Sequence, residues 1–209
     1  MTKLIMSLFK YKDFLPSFST GHHGLYVLSG TLKIGDKTVN PGEGQYIDGA
    51  DVPDVVLTES AEFLHVCVSA QSAQNLYGPA LSEDEIEISD DQMIFRLDQV
   101  SFPIGSCAYR HVHHGAGIRY LKEGELEITS DHATDLIKTG MAWFEPSHSP
   151  VRATPQNEAP ASFIRAMLIP KNFEGMPTIK YLNAEDEARP KFQTTQRFFD
   201  QVVLFDNLV

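Results

Sequence analysis

The sequence predicts an all-β protein made of two similar units of short strands, and three observations carry that prediction. Short segments alternate apolar and polar residues with period two, as in Leu32-Lys33-Ile34 and Leu126-Glu127-Ile128, the pattern of a strand with one buried face. The 12 prolines and 14 glycines break the 209 residues about as often as many short strands require. Three blocks then recur in the same order. "YVLSGTLKI" (26–34) matches "YLKEGELEI" (120–128), "NPGEGQYID" (40–48) matches "IKTGMAWFEP" (137–146), and "EFLHVCV" (62–68) matches "SFIRAML" (162–168). The offset grows slowly, from 94 to 98 to 100 positions, as a duplication with small loop insertions would give. Many short strands with tight turns imply a sandwich or a barrel.

In chain order, residues 1–79 form the first unit. Gly35-Asp36 is a two-residue hairpin turn between "TLKI" and "KTV". Gly42 and Gly140 stand between one strand and the next in their respective units. Residues 80–100 open with the acidic run "ALSEDEIEISDDQ" (80–92), expected to cross between the units on the surface. The second unit covers 101–170, and an extension covers 171–209. Within the extension "NAEDEARPKFQ" (183–193) holds a turn of helix, and "RFFDQVVLF" (197–205) reads as an apolar last strand. Such a strand is expected to pack on the first barrel or on a partner subunit.

Composition limits the partners. A net charge of −11 and a pI near 5.1 repel phosphate backbones, so neither nucleic acid nor an anionic membrane is expected. No run approaches the length of about 18 apolar residues that a span needs, and the opening "MTKLIMS" is too short for a signal peptide. Two cysteines, Cys67 and Cys107, give no disulfide framework, and a reducing cytoplasm is the expected setting.

The chemistry concentrates in "GSCAYRHVHHGAGIRYLKEGELEI" (105–128), which holds three of the eight histidines. On a strand, His111 and His113 point to one face, and strict alternation would add Cys107 and Tyr109 to it. Two neutral imidazoles suit Zn, Fe, Ni or Cu. No acidic residue occurs among the six that follow His113, so a third ligand is not supplied locally.

The second unit resembles the cupin superfamily. The first cupin motif is glycine, five residues, His-x-His, three or four residues, glutamate, six residues, glycine. Gly105, His111, His113 and Gly124 fit it, and Gly117 stands where the family has glutamate. In the second motif Gly140 and Pro146 fit, while His148, Val151 and Pro155 stand at the glycine, histidine and asparagine positions. About 65 residues of the second unit carry the resemblance; residues 20–70 carry it more thinly, with His23 at the glutamate position and Pro53 at the histidine position. The wording is also similar to a branch of bacterial cupins without a defined activity. The resemblance implies two double-stranded β-helix (jelly-roll) barrels, a bicupin, with the first barrel degenerate.

It also implies which side chains meet. If Gly117 holds the inward place of the glutamate, Arg119 and Leu121 point inward as well, and His23, Leu25 and Val27 do so in the first unit. His22 and His23 otherwise read as a polar rim. A third metal ligand would come from His148 or Glu145, with His114, Cys107 and Tyr109 as further candidates. Alternation turns Glu145 away from the cavity, and His148 lies on a loop near the mouth. An inward Arg119 must be paired or must await an anion, whose carboxylate its planar fork suits; Glu123 and Glu125 share its parity, and Arg165 can join it.

Two functions follow as expectations. One is a metal-dependent dioxygenase or isomerase acting on a small anionic carboxylate or dicarbonyl compound. His111 and His113 would hold Fe, Mn, Ni or Zn, Arg119, Arg165 and Cys107 would contact substrate, and Tyr109 would move a proton. The other is a non-catalytic module that binds an anionic metabolite without metal. A chiefly structural role, through a homodimer made by the apolar tail, is a third. The fold alone does not choose among them.

Overall fold

Period-two alternation becomes strand almost throughout the computed structural model, which describes residues 2–18, 21–88, 90 and 92–205. The chain divides into two compact units, one of residues 1–92 with 198–209 and the other of residues 93–197. The strands of the first are β1 (Thr2–Lys12), β2 (His22–Ser29), β3 (Leu32–Ile34), β4 (Lys37–Val39), β5 (Gly44–Asp48), β6 (Val55–Leu57), β7 (Glu62–Ser69) and β8 (Ser82–Ile88). They form a sheet in the order β5-β2-β7-β1-β8 and a smaller one in the order β4-β3-β6. The hairpin at Gly35-Asp36 is as the sequence predicts: Ile34 pairs with Lys37, and Gly35 takes φ 57°. Leu25, Val27, Leu32, Val39 and Phe63 are wholly buried and make the core of this unit.

The acidic run is not a surface crossover. Residues 82–88 are β8, which pairs with β1 along its length. The run itself has period two: Ile86 and Ile88 are buried, while Glu85 faces out to an ion pair with Lys3 at 2.7 Å. High charge masked an ordinary one-sided strand.

The second unit contains β9 (Gln92–Phe102), β10 (Ala108–His113), β11 (Ala116–Glu123), β12 (Glu125–Ser130), β13 (Thr134–Lys138), β14 (Ala142–Glu145), β15 (Val151–Pro155), β16 (Ala161–Pro170) and β17 (Ile179–Tyr181). With β18 (Thr194–Leu204), which passes from the second unit to the first after Arg197, they form two sheets. Their orders are β14-β11-β16-β9-β18 and β13-β12-β15-β10-β17, and each pairing with a described register is antiparallel. Inward residues of both sheets, including Val100, Phe102, Leu121, Leu126, Ile128 and Phe163, pack into one core.

The extension is divided between the units. Its first part adds β17 to the edge at β10 and the predicted helical turn at Ala184–Ala188. From Phe198 onward it lies in the first unit, where Phe198 meets Tyr26 at 5.2 Å and Phe205 meets His22 at 5.0 Å between ring centres. Residues 206–209 lie outside the described residues. No helix among the described residues is long and apolar enough to cross a membrane.

Candidate functional site

The two sheets of the second unit enclose a cavity of about 300 Å³. On one wall are inward residues of β9, β14 and β16, among them Arg96, Glu145 and Arg165; on the other are His111 and His113 of β10 with Val151 and Ala153 of β15. Ile179, Tyr181, Lys191 and Arg197 of the extension complete it. The extension's share was not legible in the sequence, because β17 is three residues long and carries no motif.

His111 and His113 do share a face. Both are nearly buried, and their Nε2 atoms lie 3.1 Å apart. The His111 Nδ1 is 2.6 Å from the Tyr109 carbonyl oxygen, which only accepts, so Nδ1 carries the proton. The His111 Nε2 is then an acceptor and His113 Nε2–H the donor. The other nitrogen of His113, Nδ1, is buried without a partner. Burial pushes the pKa of His111 down; burial, then the Arg119 and His111 charges, push His113 well below the usual histidine value. Both rings are neutral near pH 7.

Glu145 is where strict alternation from Pro146 did not put it. It pairs across from Gly117 at the end of β14, and with Trp143 it faces the interior. Its carboxylate accepts a hydrogen bond from Trp143 Nε1 at 2.8 Å, and its Oε2 lies 2.8 Å from Arg119 Nη2 and 3.6 Å from His113 Nε2. Gly117 has no side chain, so the diagonal neighbours Arg119 and Glu145 meet above it. Arg119 Nη1 also donates to the Gly117 carbonyl. Arg119 is therefore paired with Glu145, not with Glu123 or Glu125, and it is 1 % exposed and not among the residues lining the cavity. Burial draws its pKa down to about 10, which leaves it charged at neutral pH.

Arg165 does line the cavity, and Asp98 holds it through two parallel hydrogen bonds, Nε to Oδ1 at 2.9 Å and Nη2 to Oδ2 at 2.8 Å. Burial works against its charge, but the Asp98 carboxylate outweighs that and raises its pKa. The pair is the bidentate geometry that fixes a guanidinium in place.

Cys107 and Tyr109 do not line the cavity. Between Ala108 and His111 the pairing of β10 with β15 shifts register. A bulge of this kind inserts an extra residue and resets the alternation, so Ala108 and His111 both face in although three positions apart. Tyr109 turns out under the Arg189 guanidinium, 5.2 Å from its ring centre, and Cys107 Sγ lies 3.6 Å from Thr154 Oγ1. His148 is exposed with φ 60°, its ring 6.0 Å from that of His114, which in turn stacks on Phe173 at 4.0 Å.

Comparison with solved structures decides the fold. A single-residue variant of oxalate decarboxylase from Bacillus subtilis superposes with a TM-score of 0.60 at 14% identity, covering 90% of this chain and 71% of that one. AerE from Microcystis aeruginosa gives 0.56 at 15% identity, covering 81% and 88%. Oxalate decarboxylase from Lactobacillus farciminis, in a formate complex, gives 0.56 at 10% identity, covering 91% and 79%. The fold is that of the cupins. No protein-family model matches the chain, and no curated protein does.

The cupin fold implies a metal held by two or three histidines and a glutamate, and the residues here meet that set only in part. Two ligands at about 2.1 Å from a metal hold their nitrogens about 3.0 to 3.4 Å apart, octahedral to tetrahedral, and the histidine pair stands at 3.1 Å. The third donor does not follow. The Glu145 oxygen nearest the pair already faces a buried guanidinium, so a divalent ion there would sit beside a fixed positive charge. Among the described residues no group of three or more His, Cys, Asp or Glu side chains is arranged to hold a metal ion. The glutamate position cannot simply be refilled, because a Cβ on Gly117 would overlap the Ala166 carbonyl oxygen. A resident three-ligand metal centre does not fit these side chains.

Proposed function

We propose that the second unit is a receptor pocket for a small organic anion and works without a resident metal. The observation that carries this reading is the make-up of the cavity wall. Arg96, Arg165, Lys191 and Arg197 line it, and Glu145, the carboxylate among the lining residues, is paired with Arg119. Cationic side chains therefore gather at this cavity in a chain of net charge −11. A concave site of one sign with low-dielectric walls concentrates the field on an ion of the other. His111 and His113 add a neutral polar end, and the His113 Nε2–H can turn from His111 Nε2 to a ligand oxygen.

The matching expectation for Arg119 changes in kind. It does not meet the ligand; it neutralises Glu145, which would otherwise repel an anion from the histidines. Tyr109 and Cys107 have no part in this site. The test is a thermal-shift panel of sodium carboxylates against sodium chloride at equal ionic strength. At least one carboxylate raises the melting temperature, with the same shift in EDTA; a panel with no shift beyond chloride removes the proposal.

The spacing of the two imidazoles favours a second reading, a two-histidine metal site acting on a carboxylate or dicarbonyl compound. It requires Fe, Mn, Ni or Zn at about one equivalent in protein purified without an affinity tag.

The two units also repeat one plan. The orders β5-β2-β7-β1-β8 and β14-β11-β16-β9-β18 correspond strand for strand, and β2 and β11 each slip register just before the glycine turn, at Val27/Ser29 and Leu121/Glu123. This supports a duplication in which the first unit lost its interior ion pairs: Phe9, Leu25 and His65 stand in the register places of Asp98, Arg119 and Arg165. A cytoplasmic homodimer remains the proposed state, and the exposed Phe192 and Leu204 are candidates for its contact.

A further inference from the structure

The extension walls one side of the cavity without being built into the core. Pro177, Thr178, Ile179, Tyr181, Lys191 and Gln193 line the cavity, yet of the described residues from 171 to 193 Thr178 alone is buried. β17 is the edge strand of its sheet and pairs with β10 at His111–Tyr181, Val112–Lys180 and His113–Ile179. Two hydrogen bonds bracket this short ladder, His114 N–H to the Thr178 carbonyl at 3.0 Å and Leu182 N–H to the Arg110 carbonyl at 3.4 Å. The edge thus lies along the two nearly buried imidazoles, and the Tyr181 ring stands against His111 at 6.3 Å.

This strap is braced mainly by its own groups. Asn183 caps the helical turn by accepting from Asp186 N–H at 2.7 Å. At the other end of the turn Arg189 pairs with Glu185, and Lys191 Nζ donates to the Asp186 carbonyl at 2.9 Å and to that of Glu187. The same Lys191 lies 4.3 Å from the centre of the Tyr181 ring, so it ties the helical turn back to β17. Across to β10 the side-chain contact is the exposed Arg189 over Tyr109, a weak interaction at such a site. Before Gly175, which is exposed at φ 72°, the chain is anchored by Phe173 on Ile94, Met167 and Ile169. After Pro190 it enters β18. Loop positions of this kind absorb hinge rotations. A segment with internal bracing and few buried apolar contacts opens at a lower free energy than the core does.

We infer that residues 175–190 are a gate to the cavity. It leaves β10 as one piece while both sheets stay folded, and it admits a ligand to His111 and His113. The structure shows its closed state, and a ligand that binds the closed state holds it there. The gate adds an entry route to the pocket and does not depend on what the pocket binds.

Hydrogen exchange of the full chain near pH 7 reads the opening. After correction for intrinsic rates, the amides of His114 and Leu182 exchange within about threefold of each other, and at least about a hundredfold faster than those of Ile164 and Ala166, which lie in β16 between β11 and β9. Protection equal to that of β16 would make the strap part of the core, and exchange at the free-peptide rate would mean that it is never closed; either result overturns the gate. A staple then ties opening to access. Val112 and Lys180 stand opposite each other, at a Cα spacing of about 5.5 Å that a disulfide can span. Val112→Cys with Lys180→Cys is made in a Cys107→Ser background, and diethyl pyrocarbonate probes the imidazoles. In the oxidised protein His111 and His113 react at least about tenfold more slowly than in the reduced protein, while the exposed His132 reacts alike in both. Equal rates at His111 and His113 in the two forms overturn the route; should the disulfide not form, exchange on the unaltered protein decides alone.

Discussion

The Arg119 guanidinium and the Glu145 carboxylate meet at 2.8 Å above Gly117, in the interior of the second unit. The Glu145 carboxylate also accepts from Trp143 Nε1, and on the neighbouring strand, across from Arg119, Arg165 has its own partner in Asp98. The Arg119 contact fixes the character of the site, because the one carboxylate near His113 is neutralised from behind. Removing Glu145 alone leaves a buried charge without its partner, a loss of about 3–5 kcal/mol. Glu145→Gln is therefore strongly destabilising in urea titrations, and adding Arg119→Met recovers most of the loss. Single-variant losses below about 1 kcal/mol, within the range of an exposed pair, would contradict the assignment.

The glutamate that the cupin motif places at position 117 cannot be restored by substitution. Gly117→Glu drives its Cβ into the Ala166 carbonyl of the neighbouring strand, which is backbone and cannot yield cheaply. The variant melts well below the parent and gains no stoichiometric Mn or Zn. A stable Gly117→Glu protein that binds one metal per chain would show that the site is only one residue from a metal centre.

Tyr109 and Cys107 provide a control. The bulge before His111 turns both away from the cavity. Tyr109→Phe and Cys107→Ser leave ligand affinity within about twofold in calorimetry. A tenfold loss in either would place that side chain at the ligand after all.

Buried histidines in both units make the fold acid-sensitive, and His65 is the one in the first unit whose effect can be isolated. His65 is wholly buried, its Nε2 lies 3.0 Å from His23 Nδ1, and its own Nδ1 has no partner. Burial, then the His23 charge, holds its pKa well below the usual value. The unfolded chain takes up this proton below about pH 6.5 and the folded chain does not, so stability is complete above that pH and falls below it. The loss reaches about 1.4 kcal/mol per pH unit for this one group. His65→Phe suits the surrounding Phe9 and Tyr77 rings, at 5.6 and 4.9 Å. Urea stability of that variant depends less on pH, between about pH 7 and about pH 5.5, than that of the parent. An unchanged slope would mean that His65 is protonated in the folded state.

The sequence made the strands, the hairpin at Gly35-Asp36 and the inward pair His111 and His113 legible, because each depends on local alternation or on one turn. It misplaced what depends on register. Tyr109 and Cys107 were carried inward by an alternation that the bulge breaks, and Glu145 was carried outward by counting from Pro146, which ends the strand. The partner of Arg119 was invisible along the chain, since Gly117 meets Glu145 only through the pairing of β11 with β14. Asp98, the partner of Arg165, is 67 residues away in sequence and comes within reach only when β9 lies beside β16. The acidic run at 80–92 shows the opposite error, in which charge outweighed a period of two.

The most direct measurement is the affinity, for chelator-treated full-length protein, of the carboxylate that raises the melting temperature most, taken with and without one equivalent of added Mn and paired with metal analysis of the untreated sample. The arrangement of Arg119, Glu145 and the histidines predicts metal well below one equivalent and the same affinity in both titrations. A full equivalent of bound metal, with acid binding lost on its removal and restored by its return, would contradict a metal-free anion pocket.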